Sequence, residues 1–214
     1  MDFNSLAADF ENSLISMNKN KARSIFKTIE KFEDRIFFIE NSVVPALRKI
    51  GECWESGETS LAQVYMSGKI CEEIIGDFSH EAGMRPAAKP KIGIATLEDH
   101  HCLGKRIVSS VVRSAGYHLT DFGHGISALE LSKAASEDKT EILLVSVLML
   151  HSALKISELK KFLAASGAKT RIIAGGAPFI FDDSLWKNVG ADASGRGAFD
   201  AVRLIKEQSE RTDA

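Results

Sequence analysis

The spacing of apolar residues changes near residue 85, and this change constrains the fold more than any other feature of the chain. Before it, apolar residues recur every three or four positions, as in helices that bury one face. After it, short apolar runs alternate with amphipathic stretches, as in strands joined by helices. The sequence therefore predicts a helical bundle over residues 1–85 and an α/β domain over residues 91–214, joined by a linker at residues 86–90.

The first domain is predicted to be a bundle of four or five helices. Asn41 and Ser42 are expected to cap a helix that has Pro45 in its first turn, where a missing N–H costs least. Two prolines among small residues in the segment 84–90 favour a stretched connection to the second domain.

The second domain is predicted to contain five strands, each followed by a helix. The strands are expected at residues 92–96, 117–122, 141–147 and 170–175, with a short fifth strand near Ala191 and a helix at 182–188 before it. Nearly continuous apolar strands joined by helices form parallel sheets that are covered on both faces. We therefore expect a flavodoxin-like (Rossmann-like), doubly wound, five-stranded parallel sheet with strand order 2-1-3-4-5.

Composition argues against several classes of function. The 214 residues carry 27 basic and 29 acidic side chains, and neither part of the chain is strongly basic, so no nucleic-acid partner is expected. The most apolar run, residues 142–150, is too short to span a bilayer, and the first residues do not resemble a signal peptide. The three cysteines share no metal-ligand spacing. We expect a cytoplasmic protein with reduced thiols and no membrane partner.

Residues suited to binding follow three of the predicted strands. After the first, third and fourth strands, respectively, stand Asp99, His101 and Gly104, then Ser146 and Leu148, then Gly175 and Gly176. With the expected strand order, these loops share one crevice at the carboxyl edge of the sheet. His101 can bind a metal through one ring nitrogen while Asp99 accepts a hydrogen bond from the other. Because one protein nitrogen holds a metal poorly, we expect the metal to arrive in its own macrocycle.

These residues resemble the cobalamin-binding module of corrinoid proteins. The motif of that family joins DxHxxG, SxL and GG at fixed spacings, which here are 41 residues (105–145) and 26 residues (149–174). In the first domain, the segment SVVPALRKIGECWESGETSLAQVYM resembles the helical cap of corrinoid methyl-carrier proteins. Together the two resemblances cover about residues 10–208.

The resemblance implies a role for each position. His101 would be the lower axial ligand of cobalt in the base-off, His-on mode, and Asp99 and Ser152 would form a proton relay with it. The cofactor, cobalamin or a related corrinoid, would place its nucleotide tail in a slot lined by Ser146, Leu148, Gly175 and Gly176, with Gly104 allowing close approach. The cap residues expected near the cofactor are Trp54, Tyr65 and Met66.

Some positions depart from the family pattern. Leu150 and His151 stand where relatives often have hydroxyl or proline residues, and Glu98 stands where many have glycine. Whether His100, His151 or His124 contacts the cofactor is left open by the sequence.

The resemblance implies a carrier that is not catalytic alone. It would carry a methyl group on cobalt between a substrate-specific methyltransferase and a tetrahydrofolate or coenzyme M methyltransferase, with a reductive activase as a further partner. Methanol, methylamines, aryl methyl ethers, as in O-demethylation, and betaines are not distinguished as donors. Three alternatives stay open: a cobalamin-sensing regulatory protein, the small subunit of an adenosylcobalamin mutase, and an α/β domain without a cofactor.

Overall fold

The chain folds into two compact units in the computed structural model, which describes residues 3–81 and 87–210. The units are Met1–Pro86 with Arg113–Gly116, and Ala87–Val112 with Tyr117–Ala214. The first strand begins at Ala87, within the segment 86–90 that was predicted as a linker. Residue 86 of that segment and residues 82–85 before it lie outside the described residues.

The first unit is built around phenylalanine side chains from several helices. The Phe10 and Phe38 rings pack edge to face with centroids 5.5 Å apart, and the Phe26 and Phe78 rings do so at 5.7 Å. Such pairs add to the stabilisation that burial of the rings provides. The helices of this part are α1 (Phe3–Ile15), α2 (Lys19–Lys27), α3 (Phe32–Phe38), α4 (Val44–Glu55) and α5 (Leu61–Glu81).

The predicted helix start at Asn41 and Ser42 is wrong. A π-helical turn over Ile39–Val43 joins α3 directly to α4, so both residues lie inside a continuous helical path. The Asn41 side chain donates a hydrogen bond to the Phe37 carbonyl oxygen (2.9 Å) instead of capping. Pro45 has no N–H for the helical ladder, and the π-turn before it accommodates this interruption.

The second unit contains the predicted five-stranded parallel sheet. Its strand order is β2-β1-β3-β4-β5, which confirms the prediction. The helix predicted at 182–188 is shorter, covering Leu185–Asn188, a further short helix precedes it at Ala177–Phe181, and the last strand begins two residues after Ala191. The elements are β1 (Ala87–Leu97), α6 (Leu103–Ser114), β2 (Tyr117–Ile126), α7 (Ala128–Glu137), β3 (Ile142–Ser146), α8 (Leu150–Leu154), α9 (Ile156–Ala165), β4 (Arg171–Gly175), α10 (Ala177–Phe181), α11 (Leu185–Asn188), β5 (Ala193–Gly195) and α12 (Ala198–Glu210).

Both faces of the sheet are buried, which explains the continuous apolar strands. On β1, Ala95 and Leu97 pack in a core with residues of α7 and α9. The alternating residues Ile92 and Ile94 pack on the other face, in a core with residues of α6 and α12. Each side chain at the carboxyl ends of the strands can therefore be assigned to one face. None of the described helices is both long and apolar enough to cross a membrane.

Candidate functional site

The carboxyl ends of β1, β3 and β4 lie side by side, so the loops predicted to form the site are neighbours. Thr96 on β1 is in register with Ser146 on β3, and Ser146 is in register with Gly175 on β4. The DxHxxG, SxL and GG segments therefore meet at one edge of the sheet, as their positions predicted.

Asp99 connects the loop after β1 with the loop after β3. Its Oδ1 accepts hydrogen bonds from the His101 backbone N–H (3.0 Å) and lies 2.7 Å from His101 Nδ1. Its Oδ2 accepts hydrogen bonds from the backbone N–H groups of Leu148 (2.9 Å) and Met149 (3.2 Å). The Asp99 side chain is 2% exposed, whereas the His101 side chain is 64% exposed. A buried carboxylate thus holds an exposed imidazole.

These contacts keep Asp99 ionised. Burial alone would raise its pKa, but the backbone N–H groups of His101, Leu148 and Met149 and the His101 ring hold the pKa well below its usual range. An ionised carboxylate only accepts hydrogen bonds, so Nδ1 of His101 carries the ring proton. In the neutral ring, the lone pair is then on Nε2, the nitrogen that remains for a metal ion. No hydrogen bond is formed at Nε2 by the described residues.

Ser152, the expected third member of the relay, lies close by but contacts the loop backbone. Its buried hydroxyl donates to the Glu98 carbonyl oxygen (3.1 Å) and lies 3.3 Å from His151 Nδ1. His151 Nε2 is 3.9 Å from a Glu98 carboxylate oxygen. In this structure Ser152 therefore supports the loop that carries Asp99, whose second oxygen is occupied by backbone N–H groups.

The predicted glycines lie where side chains would not fit or would narrow the crevice. A Cβ atom on Gly176 would lie 1.8 Å from the Val147 carbonyl oxygen, and the φ of Gly176 is +120°. A Cβ atom on Gly104 would lie 3.5 Å from Ser146 Oγ, so the first turn of α6 passes close to the SxL serine. Leu148, the third residue of SxL, is 44% exposed.

Sequence reasoning missed Lys105, which is buried on the first turn of α6. Its ammonium group donates to Asp121 Oδ1 (2.5 Å) and to the Gly123 carbonyl oxygen (3.0 Å). This pairing fixes the end of β2, where Gly125 N–H donates to the Asp99 carbonyl oxygen (2.8 Å). A lysine directly after the DxHxxG glycine, together with two glycines near the end of β2, is the signal that could have indicated the contact.

The histidines whose roles were left open lie in two places. His100 packs against Gly125, where a Cβ atom would lie 2.4 Å from its ring, and its ring centroid is 5.8 Å from that of His124. His151 lies on the other side of the loop, beside Ser152. His100 and His124 thus belong to the β2 side of the site.

The expected cap residues belong to the helical unit. Trp54 lies near the end of α4 and is 39% exposed, and Met66 on α5 is 38% exposed. Tyr65 precedes Met66 and is half-buried. No hydrogen bond among the described residues fixes the Trp54 indole or the Tyr65 hydroxyl.

The donor set fits a metal that brings its other ligands. Among residues 3–81 and 87–210, no group of three or more His, Cys, Asp or Glu side chains is placed to hold a metal ion. His101 offers one oriented nitrogen at an exposed position, supported by an ionised carboxylate. These residues fit a metal whose other ligands come from its own cofactor.

Comparison with known proteins identifies the family. A model described as the B12 binding domain matches residues 91–203, and a second model of that description matches residues 6–76. The chain belongs to the B12-binding family. The two matched regions cover the helical unit and the sheet unit that contains Asp99 and His101. They confirm the resemblance to the cobalamin-binding family.

Relatives of this B12-binding chain include corrinoid proteins. It is 29% identical over 180 residues to trimethylamine corrinoid protein 2 of Methanosarcina acetivorans, which covers 81% of this chain and 82% of the relative. A crystal structure of a cobalamin-binding protein from Desulfitobacterium hafniense has the same fold, with a TM-score of 0.81, 20% identity and coverage of 97% of this chain and 98% of that chain. The methanol:cobalamin methyltransferase complex of Methanosarcina barkeri matches with a TM-score of 0.64, 21% identity and coverage of 95% and 79%.

Proposed function

We propose that this protein binds cobalamin or a related corrinoid and carries a methyl group between two methyltransferases. The observation that carries the proposal is the Asp99–His101 pair, in which a buried, ionised carboxylate orients an exposed imidazole at the edge of the sheet. Membership of the B12-binding family over both units supports the corrinoid as the ligand.

His101 would hold the cobalt through Nε2. Asp99 keeps the proton on Nδ1 and fixes the orientation of the ring, which raises the basicity of the bound nitrogen. When bound, the corrinoid supplies a cobalt ion that accepts a methyl group and passes it on.

The remaining site residues would hold the other parts of the cofactor. Ser146, Leu148, Gly175 and Gly176 would line the slot for the nucleotide tail, next to Gly104. Ser152 would support the loop through Glu98, and the helical residues Trp54, Tyr65 and Met66 would exclude water from the reactive face.

The partners proposed are a substrate-specific methyltransferase, a tetrahydrofolate or coenzyme M methyltransferase, and a reductive activase. The first partner is supported by the methanol:cobalamin methyltransferase complex among the matched structures. One relative is a trimethylamine corrinoid protein, whereas the matched complex acts on methanol, so proteins of one fold are associated with different methyl donors. We therefore assign the choice of donor to the partner enzyme.

A visible absorption spectrum tests the binding mode. The full chain is mixed with hydroxocobalamin under reducing, anaerobic conditions, desalted and compared with His101→Ala and with His118→Ala, an exposed histidine on β2 outside the site. We expect wild type and His118→Ala to retain corrinoid with the same spectrum, and His101→Ala to shift toward water-ligated cobalt. A folded wild type without corrinoid, or an unchanged His101→Ala spectrum, would contradict the proposal.

Methyl carriage requires a second measurement. The chain loaded with methylcobalamin is incubated with coenzyme M or tetrahydrofolate and the corresponding methyltransferase. We expect the methylated spectrum to disappear with one acceptor system, whereas retention of the methyl group with both would argue for a sensor or another cobalamin-binding role.

A further inference from the structure

The Thr96 hydroxyl is a buried polar group that lacks a hydrogen-bond partner. Thr96 is fully buried, and no described residue offers its Oγ1 a hydrogen bond. Buried hydroxyl groups are nearly always paired, because leaving one without a partner costs free energy. Thr96 is the residue of β1 immediately before Leu97, at the carboxyl end of the strand. An unpaired hydroxyl at this edge indicates a partner that the protein chain does not supply.

Thr96 lies in a row that crosses the sheet at the proposed slot. Thr96, Ser146 and Gly175 are register neighbours on β1, β3 and β4, and Gly175 is followed by Gly195 on β5. The side chains of Thr96 and Ser146 are directed to the face that α6 and α12 cover, because Ile94 and Leu144, two residues before them, pack there.

The row becomes more buried toward Thr96. Ser146 and Gly175 are half-buried, and Gly175 places no side chain in the row. Gly104 on α6 comes close to Ser146 Oγ without a side chain of its own. A ligand group that enters beside Ser146 therefore approaches Thr96, the neighbouring hydroxyl residue of the row.

We propose that the Thr96 hydroxyl hydrogen-bonds the nucleotide end of the bound corrinoid and thereby favours corrinoids that carry a nucleotide with a nitrogen or oxygen acceptor. The proposal rests on the proposed corrinoid binding and adds a residue that selects among corrinoids. His101 holds the cobalt, whereas Thr96 would recognise the opposite, nucleotide end.

The two ends of the cofactor can be separated with two probes. Cobalamin carries the nucleotide, and cobinamide has the corrin ring without it. We expect Thr96→Val, which keeps the shape and removes the hydroxyl, to weaken cobalamin binding about fivefold to tenfold, as for one lost hydrogen bond. Cobinamide binding should stay unchanged, so the ratio of the dissociation constant for cobinamide to that for cobalamin falls about fivefold to tenfold. Thr96→Ser, which keeps a hydroxyl, should keep the ratio near that of wild type.

The apoprotein gives a readout that needs no cofactor. Because Thr96→Val removes an unpaired buried hydroxyl, we expect the thermal midpoint to stay the same or to rise by roughly 2–4 °C. Thr170→Val is the matched control, since the Thr170 hydroxyl is buried at the opposite end of the sheet and donates to the Thr140 carbonyl oxygen (2.7 Å). This control should lower the midpoint and leave the ratio of dissociation constants unchanged.

Each outcome has a distinct meaning. A folded wild type that binds neither probe would overturn corrinoid binding itself. If wild type binds cobalamin and Thr96→Val leaves the ratio unchanged, or weakens both probes equally, Thr96 does not recognise the nucleotide end. A Thr96→Val midpoint that falls as far as that of Thr170→Val would show that Thr96 is paired within the protein.

Discussion

In the sheet unit, backbone hydrogen bonds hold the predicted site residues, whereas in the helical unit the predicted residues are placed only by the helices that carry them. Asp99 accepts three backbone N–H groups and contacts the His101 ring. Trp54 and Met66, in contrast, are partly exposed on α4 and α5. The site in the sheet is thus built before any ligand binds, while the helical residues offer an apolar surface.

This difference separates residues needed for folding from residues available for binding. In the sheet unit, Asp99 and Gly176 would serve both purposes, so substituting either should already reduce the stability of the apoprotein. In the helical unit, exposed aromatic side chains contribute little to the core and can be changed with smaller loss. The free energy of unfolding of the apoprotein therefore tests the comparison directly.

The largest loss of stability is expected for Gly176→Ala. The new Cβ atom would collide with the Val147 carbonyl oxygen, and alanine disfavours a φ of +120°. We expect a loss of roughly 2–5 kcal/mol in urea unfolding. Gly167→Ala is the control, because Gly167 also has a positive φ (+74°) but no atom lies within 4 Å of the added carbon, and it should lose about 1 kcal/mol. Equal losses in the two variants would mean that Gly176 is required only for its backbone conformation.

The next largest loss of stability is expected for Asp99→Ala, with His101→Ala as the comparison. Asp99→Ala leaves the N–H groups of Leu148 and Met149 without their acceptor and should cost about 2–4 kcal/mol in the apoprotein. His101→Ala removes an exposed ring and should cost less than about 0.5 kcal/mol. Urea unfolding of both variants measures the difference. Similar losses for the two would show that the imidazole, and not only the carboxylate, supports the fold.

The sequence predicted the sheet and the Asp99–His101 contact, because both depend on short-range patterns. Strand periodicity and helical crossovers indicate a doubly wound parallel sheet, for which 2-1-3-4-5 is a common strand order, and a two-residue spacing lets Asp99 reach the His101 ring. The hydrogen bonds from the Leu148 and Met149 backbone N–H groups to Asp99 could not be predicted, since every residue except proline has such a group and no sequence pattern marks these two. The relay role of Ser152 was implied only by the family resemblance, and the Ser152 hydroxyl donates to the Glu98 carbonyl oxygen here.

Lys105 was missed because its partners are set by a turn that the sequence pattern does not define. Asp121 lies 16 positions away, on another element, and its Oδ1 also accepts the Gly123 N–H (2.8 Å). The Lys105–Asp121 contact forms only when the first turn of α6 lies next to residues 121–123 of β2. Such a contact depends on tertiary structure, as does the π-turn before Pro45.

An intermediate loss is therefore expected for Lys105→Met, which keeps most of the buried stem and removes the charge. Asp121 is partly exposed, so we expect a cost of about 1–2 kcal/mol rather than that of a fully buried pair. Lys160→Met is the control: its pair with Asp192 has the same length (2.5 Å) but a more exposed lysine, and its loss should stay below about 1 kcal/mol. Hydrogen exchange at the Gly125 amide should also become faster in Lys105→Met. Unchanged exchange at this amide would mean that Lys105 does not stabilise the hydrogen bond from Gly125 to the loop that carries Asp99.

In the helical unit, a loss smaller than those of Gly176→Ala and Asp99→Ala is expected for Trp54→Ala. Although Trp54 continues the apolar stripe of α4, its side chain is 39% exposed, and we expect a loss of about 1 kcal/mol. Leu47→Ala on the same helix removes a side chain that is 3% exposed and should cost about 2–4 kcal/mol. If Trp54→Ala were as costly as Leu47→Ala, the indole would belong to the core of the bundle. A small loss, combined with faster oxidation of a reduced bound corrinoid, would instead identify Trp54 as a residue that excludes solvent from the cofactor.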